Sequence, residues 1–297
     1  MPSLKDLRDR IKSVKSTKQI TKTMKMVAAA KMRKAETACE NARPYAAALF
    51  EVLQNLASKT PKGAAPLMLK GRDEVKTVRL IVMGSSRGLC GGFNAQVYRK
   101  AVMTIADLER QGKKVEVVTV GSKMFAELKY DYNDHIVHRD DEAAAKQEYD
   151  NAEELGRLSI DAFTEGLCDE VHVLYNAFVN VMTQKPTLKQ VLPFKPSEEE
   201  IQAVAGGETE SLQSSPEFEP SEEAILETLL PLNVSTQIFA ALLESGAAEQ
   251  GARMAAMDNA TRNAGEMISD LSLSYNRQRQ ANITNEITEI VSGAESV

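Results

Sequence analysis

The sequence has no tryptophan and few other aromatic residues. Only 5% of its 297 residues are aromatic, whereas methionine occurs 12 times. The apolar fraction of 43% and the charged fraction of 26% are typical of a globular protein. This composition favours helices packed through Ala, Leu and Met over a β-sandwich.

Cysteine and histidine are also scarce. Cys39, Cys90 and Cys168 lie far apart and outside any CxxC or CxxH spacing, which argues against a disulfide framework and a zinc site. His135 and His138 are three residues apart, a spacing that by itself is a weak metal signal. We therefore expect neither a metal nor a cofactor.

Long apolar runs are absent as well. No stretch approaches the roughly 18 uninterrupted apolar residues of a membrane span. The N-terminal segment MPSLKDLRDR is charged from residue 5 and does not resemble a signal peptide. We expect the chain to stay in the compartment where it is made.

Charge of either sign is concentrated in separate segments, although the total is only −6. Residues 1 to 36 hold eight Lys and three Arg against three acidic residues, a net charge of +8. Residues 195 to 223 hold nine Glu and one Lys, a net charge of −8. The two segments are expected to face different surroundings.

The first segment, from Ser3 to about Ser58, has a helical pattern with Ser3 as the N-cap. Its first apolar residues are spaced three and four apart, as in the seam of a coiled coil: Leu4, Leu7, Ile11 and Val14. The next two seam positions are polar, Lys18 and Thr21. An irregular stripe then follows: Met24, Val27 or Ala28, Lys31 and Ala35.

The last segment predicts a second long helix. No proline follows Pro231, and the 66 residues after it would span about 99 Å as a helix. Steps of three and four continue through it: Ala240, Leu243, Ala247, Gln250, Met254, Met257, Thr261, Ala264, Ile268, Leu271, Tyr275, Gln278 and Asn282. Near the end the apolar positions shift by one residue, to Ile283, Ile287 and Ile290. Two long helices at the ends of one chain most simply pair as an antiparallel coiled coil.

The middle of the chain, residues 72–194, alternates strand and helix patterns. Predicted strands are 75–84, 114–121, 135–138, 170–179 and 187–194, and helices at 94–112, 122–129 and 146–166 separate the first four. Such alternation predicts a mostly parallel sheet. The fifth strand follows too closely for a crossover, so it should pair antiparallel at an edge.

The fold class is therefore α/β, with a Rossmann-like central domain and a long antiparallel coiled coil of the terminal helices. We divide the chain into residues 1–58 (N-terminal helix), 72–194 (α/β domain), 195–223 (acidic loop) and 224–297 (C-terminal helix). The composition of the acidic loop is typical of a mobile segment.

One motif suggests nucleotide chemistry, the glycine-rich turn GSSRGLCGGFN at residues 84–94, directly after the strand VRLIVM. It lacks the Lys and hydroxyl of a P-loop, and its glycines do not fit GxGxxG. A turn passing close to another backbone is the simpler interpretation. No catalytic triad, nucleophile elbow or HExxH motif occurs elsewhere, so the chain is not predicted to be an enzyme by itself.

The polar seam residues need an explanation, because buried polar groups require partners. Either Lys18, Thr21, Gln278 and Asn282 are solvent-exposed, or these helix ends lie inside another protein. The basic N-terminal segment also leaves a nucleic-acid-binding coiled coil open, although its charges surround the helix and no aromatic residue interleaves with them before Tyr45. A structural adaptor is a further alternative.

Three segments carry a resemblance to a known family. ITKTMKMVAAAKMRKAE (20–36), SSRGLCGGFN (85–94) and ARMAAMDNATRNAGEMISDLSLSYNRQRQANITNEITEIVSGA (252–294) resemble, in the same order, the gamma subunit of bacterial F-type ATP synthase. The resemblance covers essentially the whole chain. The acidic segment 195–223 is the part least covered and looks like a variable insertion.

The resemblance implies a central rotor shaft without a catalytic site. Proton flow turns the c-ring and the shaft together, and the shaft drives the beta subunits through different nucleotide affinities. The implied partners are the alpha3beta3 hexamer, the epsilon subunit and the c-ring, with one copy of this chain per complex. The implied location is peripheral, on the cytoplasmic face of the bacterial inner membrane, with membrane association only through Fo and no nucleic acid bound.

By family motif, the shaft touches the hexamer at two places. One contains Met24 and Lys25, and the other is the motif RQANITNEI. The second set comprises Arg279, Gln280, Thr284 and Glu286. Arg87 and Cys90 in the glycine turn are candidate contacts with beta or epsilon.

Overall fold

The computed structural model describes residues 3–59, 65–195 and 222–295. The predicted acidic loop, apart from its first and last residues, lies outside the described residues. The chain divides into two compact units, one of Met1–Ala29 with Arg253–Val297 and one of Ala30–Ala252.

Helices and strands follow in the order that the sequence indicates. They are α1 Leu4–Lys59, α2 Leu67–Lys70, β1 Thr77–Met83, α3 Phe93–Arg110, β2 Lys114–Val120, α4 Ser122–Tyr132, β3 Ile136–Asp140, α5 Glu142–Ala145, α6 Tyr149–Thr164, β4 Glu170–Phe178, β5 Gln184–Leu192 and α7 Glu222–Glu295. A short 3-10 turn, Asn133–His135, joins α4 to β3. The short helices α2 and α5 had no periodic signal in the sequence.

Helix α1 begins as predicted at a capped serine. The amide of Asp6 donates to Ser3 Oγ at 3.2 Å, and the amide of Ser3 donates to Asp6 Oδ2 at 3.0 Å. These reciprocal bonds satisfy two amides of the first turn.

Helix α7 starts earlier than predicted. It begins at Glu222 and continues through Pro231, so its 74 residues span about 111 Å. Leu226 and Leu230 before the proline are buried, as is Val234 after it. We attribute the continuity to this packing, which outweighs the hydrogen bond that proline removes.

The described strands form one five-stranded sheet in the order β3-β2-β1-β4-β5. The first four are parallel, and β5 pairs antiparallel with β4 at the edge, as predicted. Strand β5 begins three residues earlier than predicted, at Gln184, and includes Pro186 opposite Asn176. An edge strand tolerates proline because one of its sides needs no amide donors.

Both faces of the sheet are covered. Helices α6 and α7 pack on one face around Leu155, Phe163 and Leu242. Helices α3 and α4 pack on the other around Val97, Ile105 and Leu128. A parallel sheet covered on both sides explains why every residue of β1 after Thr77 and of β2 after Lys114 is buried.

Candidate functional site

The paired ends of α1 and α7 form the unit of Met1–Ala29 with Arg253–Val297. From Met254 to Asn282, every predicted seam position on α7 is buried or half-buried, whereas most residues between them are exposed. On α1, Leu7, Thr21 and Ala28 are buried. The three-and-four spacing therefore identified the contact face correctly.

Three side-chain contacts fix the direction of the pair. Arg8 donates to the Tyr275 hydroxyl at 2.9 Å, and Lys25 donates to Asp258 at 2.6 Å. Helix α1 advances 17 residues from Arg8 to Lys25, while α7 runs back the same 17 from Tyr275 to Asp258. The third contact joins Thr261 to Thr21 between them. The two helices are antiparallel and in constant register.

Three of the four polar seam residues have hydrogen-bond partners, and the fourth, Lys18, is exposed. Thr21 is 8% exposed; its hydroxyl donates to the Lys18 carbonyl at 3.1 Å and accepts from Thr261 at 2.8 Å. The side chain of Lys18 runs alongside Gly265, where an added Cβ would lie 3.1 Å from its Nζ. Gln278 donates to Asn282 at 3.3 Å. The pair thus accommodates polar residues that a purely apolar seam would exclude.

In the next part of the α1 stripe, one predicted seam position is wrong. Lys31 is exposed, and Met32 beside it is buried with 9% exposure. Ala28, rather than Val27, is the buried member of the other ambiguous position. A straight α-helix has 3.6 residues per turn, whereas the three-and-four spacing assumes 3.5. The contact face therefore moves to a neighbouring residue after several turns.

Lys25, one of the predicted hexamer contacts, is already engaged within the chain. Its partner Asp258 also lies 3.8 Å from Arg262. The bond from Lys25 holds the pKa of the Asp258 carboxyl below its usual value. Both side chains of the pair remain about 40% exposed, and Met24 is half-buried. Asp258 was missed in the sequence because a facing charge can be assigned only after the register is known.

The second predicted contact set lies at the end of α7. Arg279, Gln280, Thr284 and Glu286 are all exposed. The Thr284 hydroxyl donates to the Gln280 carbonyl at 2.9 Å. Arg279 is 21 residues beyond Asp258 along α7, about 32 Å. The structure therefore groups these four residues but separates them from Met24 and Lys25.

In the antiparallel register, Arg279 lies opposite the start of α1, and the described part of α1 has no residue to face the rest of α7. All side chains from Ile283 to Ser292 are exposed. The shifted apolar positions are among them: Ile283 is 46%, Ile287 56% and Ile290 71% exposed. These residues form an apolar stripe that no other described segment covers.

The glycine turn at residues 84–94 is held by hydrogen bonds among its own residues. The amide of Ser85 donates to Asn94 Oδ1 at 3.0 Å, and the Ser85 hydroxyl donates to the Arg87 carbonyl at 2.8 Å. A Cβ added at Gly121 would lie 2.7 Å from the Gly84 carbonyl oxygen. The predicted close approach of two backbones is thus present, where the ends of β1 and β2 meet.

The two candidate contacts in this turn differ in exposure. Arg87 is exposed, and the neighbouring Leu89 is 63% exposed with φ at +65°. Cys90 is 3% exposed and packs with Phe93, Ala248 and Ala252. The side chain of Cys90 therefore faces the interior and is not accessible to another subunit.

Among the described residues, no group of three or more His, Cys, Asp or Glu side chains is placed to hold a metal ion. His135 pairs with Glu109 at 2.9 Å, and His172 pairs with Glu170 at 3.2 Å.

One described helix is long and apolar enough to cross a membrane by length and composition alone. A window within Ala224–Ser292 has a mean hydropathy of 1.4, and half of that window is buried inside the protein. Because a buried core helix passes the same test, the finding is weak support for a membrane span.

Comparison with known proteins decides the family. The model of the ATP synthase family matches residues 3–297. The gamma chain of ATP synthase from Fuscovulum blasticum is 50% identical and that from Pelagibacter ubique 48%, each over the full length of both chains. The chain belongs to the ATP synthase gamma chain family.

The fold also agrees with solved members of ATP synthase complexes. A chain of the Euglena gracilis mitochondrial enzyme matches 99% of this chain with a TM-score of 0.66 at 18% identity, and 94% of that chain is covered. A chain in the central stalk and c-ring structure from Tetrahymena thermophila mitochondria matches 81% with a TM-score of 0.61 at 24% identity, and 99% of it is covered. The gamma-chain function inferred from the three sequence motifs is confirmed by the family, and the two alternatives, a non-rotary adaptor and a nucleic-acid binder, gain no support.

Proposed function

We propose that this gamma-chain relative is the central rotor shaft of an F1Fo ATP synthase, coupling proton-driven rotation of the c-ring to ATP synthesis, or the reverse hydrolysis, at the beta subunits. The full-length match to gamma chains carries the proposal. The helix pair adds support, because its single-helix end exposes both polar and apolar side chains that no other described helix covers.

In this proposal the helices at 1–58 and 224–297 reach into the alpha3beta3 hexamer, and the domain at 72–194 meets the epsilon subunit and the c-ring. One copy serves each complex. The chain is peripheral on the cytoplasmic face of the bacterial inner membrane and is held there through Fo. The acidic segment 195–223 is a variable part of the sequence.

The shaft would touch the hexamer at two levels. At the end of α7, the side chains of Arg279, Gln280, Thr284 and Glu286 would hydrogen-bond to a beta loop in one rotary state. At the level of Met24 and Lys25, the exposed parts of the Lys25 and Asp258 side chains would contact another loop of the hexamer. Net positive charge on the N-terminal segment favours acidic loops, which a turning shaft can engage and release.

The glycine turn would form a lower contact. Arg87 is exposed there and Cys90 is buried. Arg87 would then meet beta or epsilon directly, and Cys90 would act by holding the turn in place.

Purification of the tagged full chain from its own cells tests the proposal. We expect it to co-elute with alpha and beta subunits that hydrolyse ATP. Elution without them would contradict the proposal, and salt-sensitive binding to duplex DNA instead would favour the nucleic-acid-binding alternative.

A further inference from the structure

A doubly wound sheet usually binds its ligand at the carboxyl ends of its strands, where the strand order reverses. In the order β3-β2-β1-β4-β5, this reversal lies between β1 and β4. The residues that follow these strands include Cys90 and Phe93 after β1 and Phe178 at the end of β4. Here those three side chains pack against Ala248 and Ala252 of α7. The chain's own helix therefore occupies the place of a ligand.

Little space remains beside this contact. A cavity of about 10 Å³ is lined by Gly84, Ser245, Gly246 and Glu249 with their neighbours. That volume is about the minimum for one water molecule. Ser245 and Glu249 are 6% and 7% exposed. The cavity lies at the ends of β1 and β2, beside Met83 and Val120, and is too small for a nucleotide.

Three glycine contacts bring α7 unusually close to the α/β domain. A Cβ at Gly156 of α6 would lie 2.6 Å from Ser235 Oγ, and one at Gly246 would lie 3.0 Å from Gln147 Cδ. A Cβ at Gly251 would lie 3.2 Å from Phe178 and 3.6 Å from the Val181 Cα. From Ser235 to Gly251 these contacts cover 17 residues, a rise of about 24 Å along the helix.

Contacts spread along a helix resist both sliding and twisting, because close-packed interiors do not deform smoothly. Between the outer two contacts, Ile238, Ala241 and Leu242 are also buried in the core of the domain. At Gly156, Gly246 and Gly251 the neighbouring atoms are so close that α7 cannot slide along the domain without a steric clash.

We propose that α7 from Ser235 to Gly251 acts as a built-in ligand of the α/β domain, and that this seat, which we call the clamp, transmits torque between the domain and the shaft helix. The inference rests on the proposed rotor function. It assigns positioning roles to Gly156, Gly246 and Gly251, because these glycines hold α7 in place against the domain.

A reversible cross-link tests the clamp. The ideal Cβ at Gly156 lies 3.5 Å from the Ser235 Cβ, within the range of disulfides. In the assembled enzyme, we expect the double variant Gly156→Cys with Ser235→Cys to cross-link on mild oxidation. ATP-driven proton pumping and ATP hydrolysis should then be the same before and after reduction, because the clamp does not move during turnover.

The oxidised single variant Ser235→Cys and the reduced double variant are the controls. Inhibition on cross-linking, reversed by reduction, would show that α7 moves against the domain and would overturn the clamp. Failure of the two cysteines to cross-link would contradict the close approach itself. If the unmodified chain did not assemble with an ATPase at all, the proposed function would fail instead.

A second variant keeps the test independent of disulfide formation. Gly246→Val should separate α7 from Gln147 and lower the protons pumped per ATP hydrolysed, whereas Ala145→Val, at an exposed position on α5, should leave that ratio unchanged. A general loss of stability would lower pumping and hydrolysis together. An unchanged ratio in Gly246→Val would overturn the clamp.

Discussion

Lys25 Nζ lies 2.6 Å from Asp258 Oδ1, an ion pair that joins positions 233 residues apart in the chain. The ion pair joins the two terminal helices at Lys25, a residue that the sequence motif predicts to contact another subunit. The pair gives Lys25 a role inside the chain that can be separated by experiment from its proposed contact with a partner.

A charge exchange separates these roles. If Lys25 serves mainly the pair, the double variant Lys25→Asp with Asp258→Lys should retain the coupled activity that each single variant lowers. If Lys25 contacts the hexamer, the double variant should stay impaired. Proton pumping in membrane vesicles measures the difference. The effect of either single variant on thermal stability should be small and should vanish at high salt, because both side chains are partly exposed.

The buried hydroxyl pair gives a second prediction. Thr261→Val removes the hydrogen bond to Thr21 and should lower the free energy of unfolding by about 1 kcal/mol. Adding Thr21→Val should recover much of that loss, because both polar groups are then gone. Urea unfolding followed by circular dichroism gives the double-mutant cycle. Strict additivity of the two losses would contradict a direct bond.

The end of α7 gives a third prediction. Gln280→Ala with Thr284→Ala should reduce coupled ATP synthesis and hydrolysis several-fold, since each lost hydrogen bond to a partner is worth about 1 kcal/mol. The melting temperature of the isolated chain should not change, because both side chains are exposed. Thr284→Ser keeps the hydroxyl and is the matched control. Unchanged coupled activity in the Ala variant would refute the assignment.

The reactivity of the Cys39 and Cys168 thiols gives a fourth prediction. Burial raises the pKa of Cys39 and of Cys168 to about 11 from an ordinary 9.0. Below pH 9 the folded chain should therefore hold about 100-fold less thiolate at these positions than the unfolded chain. Alkylation followed by mass spectrometry should be slow in buffer and fast in urea.

The same shift predicts a loss of stability in alkali. A raised folded pKa means that the unfolded thiols lose their protons first, so stability is complete below pH 9 and falls between pH 9 and about 11. Cys39→Ser with Cys168→Ser should weaken this dependence. Equal alkylation of folded and unfolded chains would contradict the protection of both thiols, the half-buried Cys39 and the buried Cys168.

Much of the fold was predictable because its strongest signals are periodic. The apolar run of Thr77–Met83 identified a buried parallel strand, and the steps from Met254 to Asn282 identified a contact face. The short link before β5 correctly predicted an antiparallel edge. These inferences need only the repeat of a helix or a strand.

The remaining features depend on tertiary packing and on register. Burial of Leu226 and Leu230 explains why α7, predicted over 224–297, is continuous through Pro231. The identity of Met32 instead of Lys31 as a seam residue depends on the phase of α1. For the candidate site, the motif residues were found by resemblance, but the partner of Lys25 and the burial of Cys90 required the fold.

The most direct measurement of the central claim is rotation of this chain. The gamma-chain relative would be assembled with its alpha and beta subunits fixed to a surface, and a probe would be attached to the α/β domain. The account predicts continuous rotation in one direction when ATP is added, with a pause for each catalytic site in turn. A probe that stays still, or only fluctuates without direction, while the fixed subunits hydrolyse ATP would contradict it.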